Sequence, residues 1–372
     1  MAKITVKHIA EQTGVSVATV SRALNNSGYV HTDVRARIEA TMQRLGYVPN
    51  MAARNLATGR TRTVGLVLQT LHSPAFVEMT EAIQLTLREK GYFLLMCNSQ
   101  FNKQIELDYL QLVQRGMLDG IITNATNDTE SQLRQLVQGN YPIVFINRSL
   151  NGHNALEYRT GFVQVDLQHA TFLATDHLLS LGHRCIGVVT GEMTLSTQHR
   201  RLEGYRQALQ KYAVAFNPKL ICAVGATAVG AADAEMKTHS LHNVTMGAVE
   251  NMIASQPNLT AFIVVYHTQL PAVMQAIQNK KKCVPDDLSL VAFSDFSLAP
   301  FMCPPLTVVA QPSAEMGKYA ADMLISLIEH VPASEQAQIE QIEHTQADVS
   351  FLRQILLKPS LIVRESCRSV NL

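Results

Sequence analysis

The residues with the plainest chemical purpose lie near the start of the chain, in Ile4–Asn25, ITVKHIAEQTGVSVATVSRALN. At helical spacing, Ser16, Val17, Ala18, Ser21, Arg22 and Asn25 fall on one exposed face of a short helix. Short side chains at 17 and 18 permit close approach to base edges and can touch thymine methyls. Arg22 can fork onto guanine O6 and N7. Ser16, Thr19, Ser21 and the helix N-terminus suit phosphate oxygens. Ala10 stands where two helices must approach closely, and Gly14 where the turn between them needs a positive φ. Val15, Val20, Ile9 and Leu24 continue the apolar side. This spacing lets the second helix cross the first and project into a major groove, as a helix-turn-helix does. A plain helical hairpin would share the small–Gly–apolar spacing but has no need of the small, polar and basic outer face.

Charge points the same way. Residues 1–63 carry nine Lys/Arg and three acids, a net +6, although the whole chain of 372 residues is only +1. A basic head on a mildly acidic body suits a polyanion at the head alone, though a charge run by itself is often just a solvated face.

A second group of polar residues ends apolar runs: Asn124 after GIIT, Arg148 in FINRS and Asp295 after VAFS. Ligands of open α/β sheets sit at such carboxyl ends, but isolated polar residues there are also ordinary caps and turns. For catalysis the sequence offers little. It has no GxSxG elbow, no GxxxxGK[ST] loop, no HExxH and no GxGxxG after a strand, so no enzyme activity, cofactor or metal is expected. Six cysteines (Cys97, Cys185, Cys222, Cys283, Cys303, Cys367) lie far apart without a CxxC pair and read as thiols in a reducing compartment. No apolar run is long enough to span a bilayer, and MAKITVKHIAEQ lacks a signal-peptide core. A cytoplasmic protein with no membrane partner is expected.

The elements that must hold these residues follow from caps and periodicity. Thr5 caps a first helix at about Val6–Gln12 and Ser16 a second at Val17–Asn25. Thr32 or Asp33 opens a third that runs to Leu45 and stops at Gly46. Past Pro49, NMAARNLA (50–57) is a two-turn helix, too short to be stable alone in water, and TGRTRT (58–63) is a polar connector. From Val64 short apolar runs alternate with amphipathic helices. The runs are VGLVLQ (64–69), YFLLMCN (92–98), GIITN (120–124) and PIVFIN (142–147). The rhythm restarts with FVQVD (162–166), CIGVVT (185–190), LICAV (220–224), AFIVV (261–265) and LSLVAF (288–293). This predicts two α/β units with parallel, doubly covered sheets and a cleft between them. Residues 225–260 and the Gln/Glu-rich 331–354 exceed what a βα step needs and read as extra helix or loop.

TVKHIAEQTGVSVATVSRALN, YVPNMAARNLATGRT and the βα body resemble the LacI/GalR family of bacterial repressors over roughly residues 4 to 367. Later matching pieces are LLSLGHRCIGVVTG (178–191), RRLEGYRQAL (200–209), CVPDDLSLVAFSD (283–295), PPLTVV (304–309) and PSLIVRESC (359–367). The run VSVATVSR is closest to the galactose-repressor branch. The resemblance implies an all-α helix-turn-helix head (1–49), a hinge helix and linker (50–62) and a two-lobed periplasmic-binding-protein-like body (63–372). Lobe 1 would take about 63–155 plus 296–323, and lobe 2 about 160–293 plus 325–372. Interlobe crossings are expected near Ser149–Thr160, near Ser294–Pro304 and after Ile325. A homodimer on a pseudo-palindromic DNA operator is implied. The chain ends soon after LIVRESC without a leucine heptad tail, so no coiled-coil tetramer is expected.

By position, the resemblance gives base reading to Val17, Ala18 and Arg22. Ser16, Thr19, Ser21, Asn25 and Tyr47 go to the backbone side of the DNA contact, and Thr5 joins the DNA-binding set. Asn50, Ala53 and Leu56 go to the hinge helix, with Leu56 as a wedge in the minor groove. Arg201 matches the family's sugar-gripping arginine. His72, Asn124, Arg148, Tyr266, His267 and Asp295 complete the effector set. The sequence departs from the family at this site. Tyr266–His267 stand where Asn-Asp is usual, Ser294–Asp295 where paired acids are frequent, and Pro271 just inside the next helix. The effector is therefore either anionic (a sugar phosphate or sugar acid compensating Arg201) or a neutral sugar, with Arg201 neutralised by Glu203 or Asp295. Two rivals remain. A secreted transport-type binding protein would lack residues 1–60, and an architectural DNA-binding protein would not need a two-lobed body.

Overall fold

The computed structural model describes residues 4–25, 28–48, 55, 59–71, 73–124, 129–148, 159–193, 196–225, 234–329, 340–342 and 353–370. The chain divides into two compact units, Met1–Arg62 and Thr63–Leu372.

In the first unit, three helices enclose a small apolar core: α1 (Val6–Thr13), α2 (Val17–Asn25) and α3 (Thr32–Leu45). Ile9, Val20 and Ile38, one from each helix, are almost fully buried, with Ala10 and Ala23 between them. Fully burying one such aliphatic side chain contributes about 1.5–3 kcal/mol. The Thr5 amide and hydroxyl both meet the Nδ1 of His8, which fixes the start of α1. Gly14 ends α1 at φ 65, and a Cβ there would meet nothing within 4 Å. Its backbone conformation, rather than space, is the reason for glycine. Arg35 of α3 donates to the Ala23 carbonyl at 3.0 Å and so ties the third helix to the second.

The second unit holds two sheets. The strands of the first are β1 (Thr63–Leu68), β2 (Phe93–Asn98), β3 (Gly120–Thr123), β4 (Ile143–Ile146) and β5 (Thr160–Val165), with β11 (Glu340–Ile342) and β12 (Gln354–Leu357) from near the C-terminus. Its order is β11-β12-β5-β4-β3-β1-β2, parallel throughout. Helices α4 (Pro74–Glu89) and α11 (Ser313–Ile328) cover one face, and α5 (Lys103–Gln114) and α6 (Glu130–Gln138) the other. The second sheet takes β6 (Ile186–Thr190), β7 (Ile221–Ala223), β8 (Ala261–Val264), β9 (Ser289–Phe293), β10 (Thr307–Ala310) and β13 (Ser360–Ile362), ordered β13-β10-β9-β8-β6-β7. Only β13 is antiparallel. Helices α7 (Leu167–Ser180) and α8 (Ser196–Lys211) pack on one face, and α9 (Ala234–Ser255) and α10 (Leu270–Asn279) on the other. Strands such as IVFI and SLVAF are buried at every position, as helix cover on both faces demands.

The lobes do not divide where the sequence reading put them. FVQVD does not begin the second unit. It lies in β5, which pairs with β4 and stacks Phe162 on Phe145 at 5.2 Å in the first core. Residues 307–310, expected in lobe 1, form β10 beside β9 in the second sheet. Residues 354–357, expected in lobe 2, pair with β5 in the first. The whole of α11, not just its start, belongs to lobe 1, where Met323, Leu324 and Leu327 are buried. The crossings therefore fall at Asp166, at Gln311–Pro312 and at Lys358–Pro359. The Asp166 amide donates to the Leu357 carbonyl at 2.9 Å, which joins two of them. A strand's membership is set by long-range pairing, to which the alternating pattern is blind. The extra stretch 225–260 is mostly the 22-residue α9, and β11 lies within 331–354. Pro271 sits in the first turn of α10, where a missing N–H costs nothing.

Candidate functional site

On the head, Ser16 stands before the first residue of α2 and takes the Thr19 amide on its hydroxyl at 3.1 Å. The two hydroxyls meet at 2.9 Å. Val17, Ala18, Ser21 and Arg22 are exposed while Val20 and Ala23 are buried, so α2 turns one apolar face inward and the small, polar and basic face outward. The Arg22 stem lies beside Gly28. Asn25 closes the helix. Tyr47 follows α3, half-buried on the head's core, with its amide on the Met42 carbonyl at 2.9 Å. Asn50, Ala53, Leu56 and, in the body, His72 lie outside the described residues.

In the body, register aligns the site. Val264 of β8 is level with Ala292 of β9 and Val189 of β6, so Tyr266, Ser294 and Gly191 emerge side by side at the carboxyl edge of the second sheet. Tyr266 packs over Gly191 and begins the turn His267–Gln269. Arg201, on α8, is only 9% exposed. Its Nη1 donates to the Tyr266 hydroxyl at 3.1 Å, and its Cζ lies 5.0 Å from the ring centroid. Gln198, one turn earlier on α8, also donates to that hydroxyl and accepts from Thr190.

The first lobe offers Asn124 and Arg148 at the carboxyl ends of β3 and β4. Gln69 donates to the Asn124 carbonyl at 3.1 Å, and the Asn124 Oδ1 is buried without a hydrogen-bond partner. Gln164 of β5 donates to the Arg148 carbonyl at 2.7 Å and accepts from Arg200 of α8 at 3.2 Å. That link joins the lobes beside Arg201.

Asp295 is not in this cluster. Arg364 holds both its oxygens at 3.0 and 3.1 Å. With Glu78, Ser294 and Gln311 it lines a polar cavity of about 220 Å³ beside the crossing at 311–312. Partial burial, then repulsion from Glu81 and Asp295, raises the Glu78 carboxyl above its ordinary value. The expected neutralisation of Arg201 by Glu203 or Asp295 is not present, since Glu203 faces Arg206 at 4.0 Å. The sequence reading missed Gln198, Gln311 and Glu78. Gln198 was findable, because three residues before Arg201 is the same helical face. Glu78 and Gln311 come from segments that only the interlobe topology brings to Asp295.

A compact three-helix head with a small, basic outer face, in one chain with two parallel sheets that cross-connect three times, defines a DNA-binding regulator with a periplasmic-binding-protein-like sensor. The family model for bacterial regulatory proteins of the lacI family matches residues 5–50, and that for the periplasmic binding protein-like domain matches 175–367. The chain is 32% identical over 333 residues to the ribose operon repressor of Bacillus subtilis (strain 168), covering 90% of this chain and 94% of that one. It is 25% identical over 368 residues to the repressor PurR of Haemophilus influenzae (strain PittEE), covering 98% and 99%. Among solved structures it shares the fold of the lac repressor dimer bound to operator and the anti-inducer ONPF. There the TM-score is 0.75 at 22% identity, with 99% of this chain and all of that one covered. The chain belongs to the LacI family of bacterial regulatory proteins.

Proposed function

We propose that the protein is a cytoplasmic, non-catalytic transcription repressor that reads a pseudo-palindromic operator as a dimer and is controlled by a small carbohydrate-like effector between its lobes. The observation that carries the DNA reading is the outward face of α2, where Val17, Ala18 and Arg22 are exposed on a helix locked in place by Ile9, Val20 and Ile38. In this reading Arg22 forks onto guanine, Val17 and Ala18 touch thymine methyls, and Thr5, Ser16, Thr19, Ser21, Asn25 and Tyr47 hold the backbone. Asn50, Ala53 and Leu56 reach the minor groove, with Leu56 prising a base step.

Dimerisation uses the edge of the first sheet. β2 is its outermost strand and exposes Phe93, Leu95 and Met96, while α4 beside it exposes Val77 and Leu85. An uncovered apolar edge strand of this length invites pairing with a second copy. The effector binds at Arg201, Tyr266, His267, Asn124 and Arg148, with Asp295 at the far end of the cleft. A carbohydrate is favoured by the relatives, which include ribose operon repressors and, in fold, a CelR–cellobiose complex. Selection of bound sequences from random DNA, with and without candidate effectors, tests the whole reading. A two-fold symmetric consensus lost on deleting residues 1–60 is expected. Retention of specific DNA binding without those residues overturns it.

A further inference from the structure

The interlobe site treats donors and acceptors unequally. Arg201 is nine-tenths buried, and its Nε has no hydrogen-bond partner. No carboxylate among the described residues lies within ion-pair distance of it. Glu203 faces Arg206, Asp295 holds Arg364, Asp176 holds Lys211, and Asp166 caps α7 by accepting the His169 amide. Among the described residues the hydrogen-bond partner of its guanidinium is a neutral phenol oxygen, that of Tyr266, on which the Gln198 side-chain amide also converges. Two donors thus aim at one weak acceptor. The Gln198 Oε1 already accepts from the Thr190 hydroxyl. Glu192, at the same edge, lies against Gly225 and makes no ion pair with Arg201, so this end of the site is donor-rich and Arg201 has no salt-bridge partner among the described residues.

A sugar hydroxyl both donates and accepts, and a site built for one supplies both kinds of partner. A carboxylate or phosphate only accepts, and it matches a guanidinium in shape and charge. A guanidinium held out of water is also stabilised far more by a full negative charge than by a dipole. On the effector reading given above, we propose that the cleft binds an anionic ligand whose carboxylate or phosphate oxygens engage Arg201, displacing the Tyr266 hydroxyl while the ring stays against the guanidinium. Buried oxygens without hydrogen-bond partners occur on both lobes, Asn124 Oδ1 on the first and Gln269 Oε1 on the second. They suit hydroxyl donors on the body of the same ligand. The class is a polyhydroxylated carboxylate or a sugar phosphate.

The experiment is calorimetry on the full chain with ribose 5-phosphate, glucose 6-phosphate and gluconate, each against ribose or glucose, and with inorganic phosphate alone. At least one anion should bind tenfold or more tighter than its neutral parent. Gluconate against glucose 6-phosphate separates a carboxylate from a phosphate. Arg201→Gln should weaken that binding by tenfold or more, and Arg201→Lys should restore part of it. Tyr266→Phe should tighten it several-fold, because the competing phenol oxygen is gone; this variant keeps the ring and guards against a folding artefact at Arg201. A neutral sugar that binds as tightly as its anionic partner overturns the anion and leaves the effector reading standing. So does anion binding indifferent to Arg201→Gln. Failure of every compound to bind or to alter operator affinity overturns both.

Discussion

Gly204 lies on α8 where that helix crosses α7, three residues beyond Arg201. A Cβ at 204 would stand 2.8 Å from the Gln168 carbonyl carbon and 3.0 Å from the Phe172 amide nitrogen, and closer still to the Gln168 oxygen. Carbon contacts are comfortable at about 3.5–4.0 Å, so α8 must retreat by something near an ångström. The obstacle is backbone and cannot rotate aside. Two opposed effects then fix the sign of Gly204→Ala. Helix propensity alone favours alanine by about 1 kcal/mol, while overpacking costs about 1–3 kcal/mol and lies at the upper end against a rigid backbone. The expected net loss is about 2 kcal/mol. For a body of this size the unfolding entropy is about 0.65 kcal/mol/K, so Tm should fall by about 3 °C. Because Arg201 and Gln198 ride on the same helix, effector affinity should fall as well. Scanning calorimetry with and without ligand measures both. An unchanged or raised Tm would show that the α7–α8 approach yields to an added methyl group and would overturn this prediction.

Arg22→Ala should weaken operator binding by about 1–3 kcal/mol and relax preference at one base pair per half-site; equal weakening on random DNA in a competition assay would make Arg22 a phosphate contact. Met96→Asp places a charge on the exposed β2 edge and should convert dimers to monomers in light scattering, with the body still folded. A dimer of unchanged stability would move the interface elsewhere. Burial lowers His177, against an opposing pull from Asp176, and burial likewise lowers His183, against the hydrogen bond to the Arg368 carbonyl. Both therefore take up protons less readily in the fold than when unfolded. Stability should be level above neutrality and decline as pH falls below the ordinary value of 6.5. The slope is at most about 1.4 kcal/mol per pH unit for each histidine. Thermal melts from pH 8 to 5.5 should show the decline, shallower in His183→Gln; a flat profile contradicts it.

The head was readable because its signals are local. Caps at Thr5 and Ser16, the positive-φ glycines 14 and 46 and a clean apolar face on each helix all act within a few residues. The strands were equally readable as strands, but their sheets were not. FVQVD looks like the start of a new repeat and is the completion of the old one, since nothing within its own residues states that β4 and β12 will be its neighbours. At the candidate effector site the sequence supplied Arg201 and Tyr266 as separate residues. That they touch follows from α8 passing the carboxyl end of β8, and the pairing of Asp295 with Arg364 spans 69 positions. Polar partners chosen across such distances leave no periodic trace.

The threefold crossing has a consequence for the chain as it leaves the ribosome. The helix that seals one face of the first sheet, α11, and the strand that extends it, β12, are encoded after nearly all of the second lobe. Once Val165 has emerged, roughly 160 further residues must be made before Ile328 follows, about 10–30 s at bacterial elongation rates. Through that interval the nascent first lobe holds Val64, Leu66, Ile122 and Val144 without their α11 cover. The second lobe is made in the meantime but closes later still, because its strand β13 follows β12 and pairs with β10. Vectorial synthesis thus keeps both lobes open until residues 313–362 are made, and the two close almost together, the first on α11 and β12 and the second on β13.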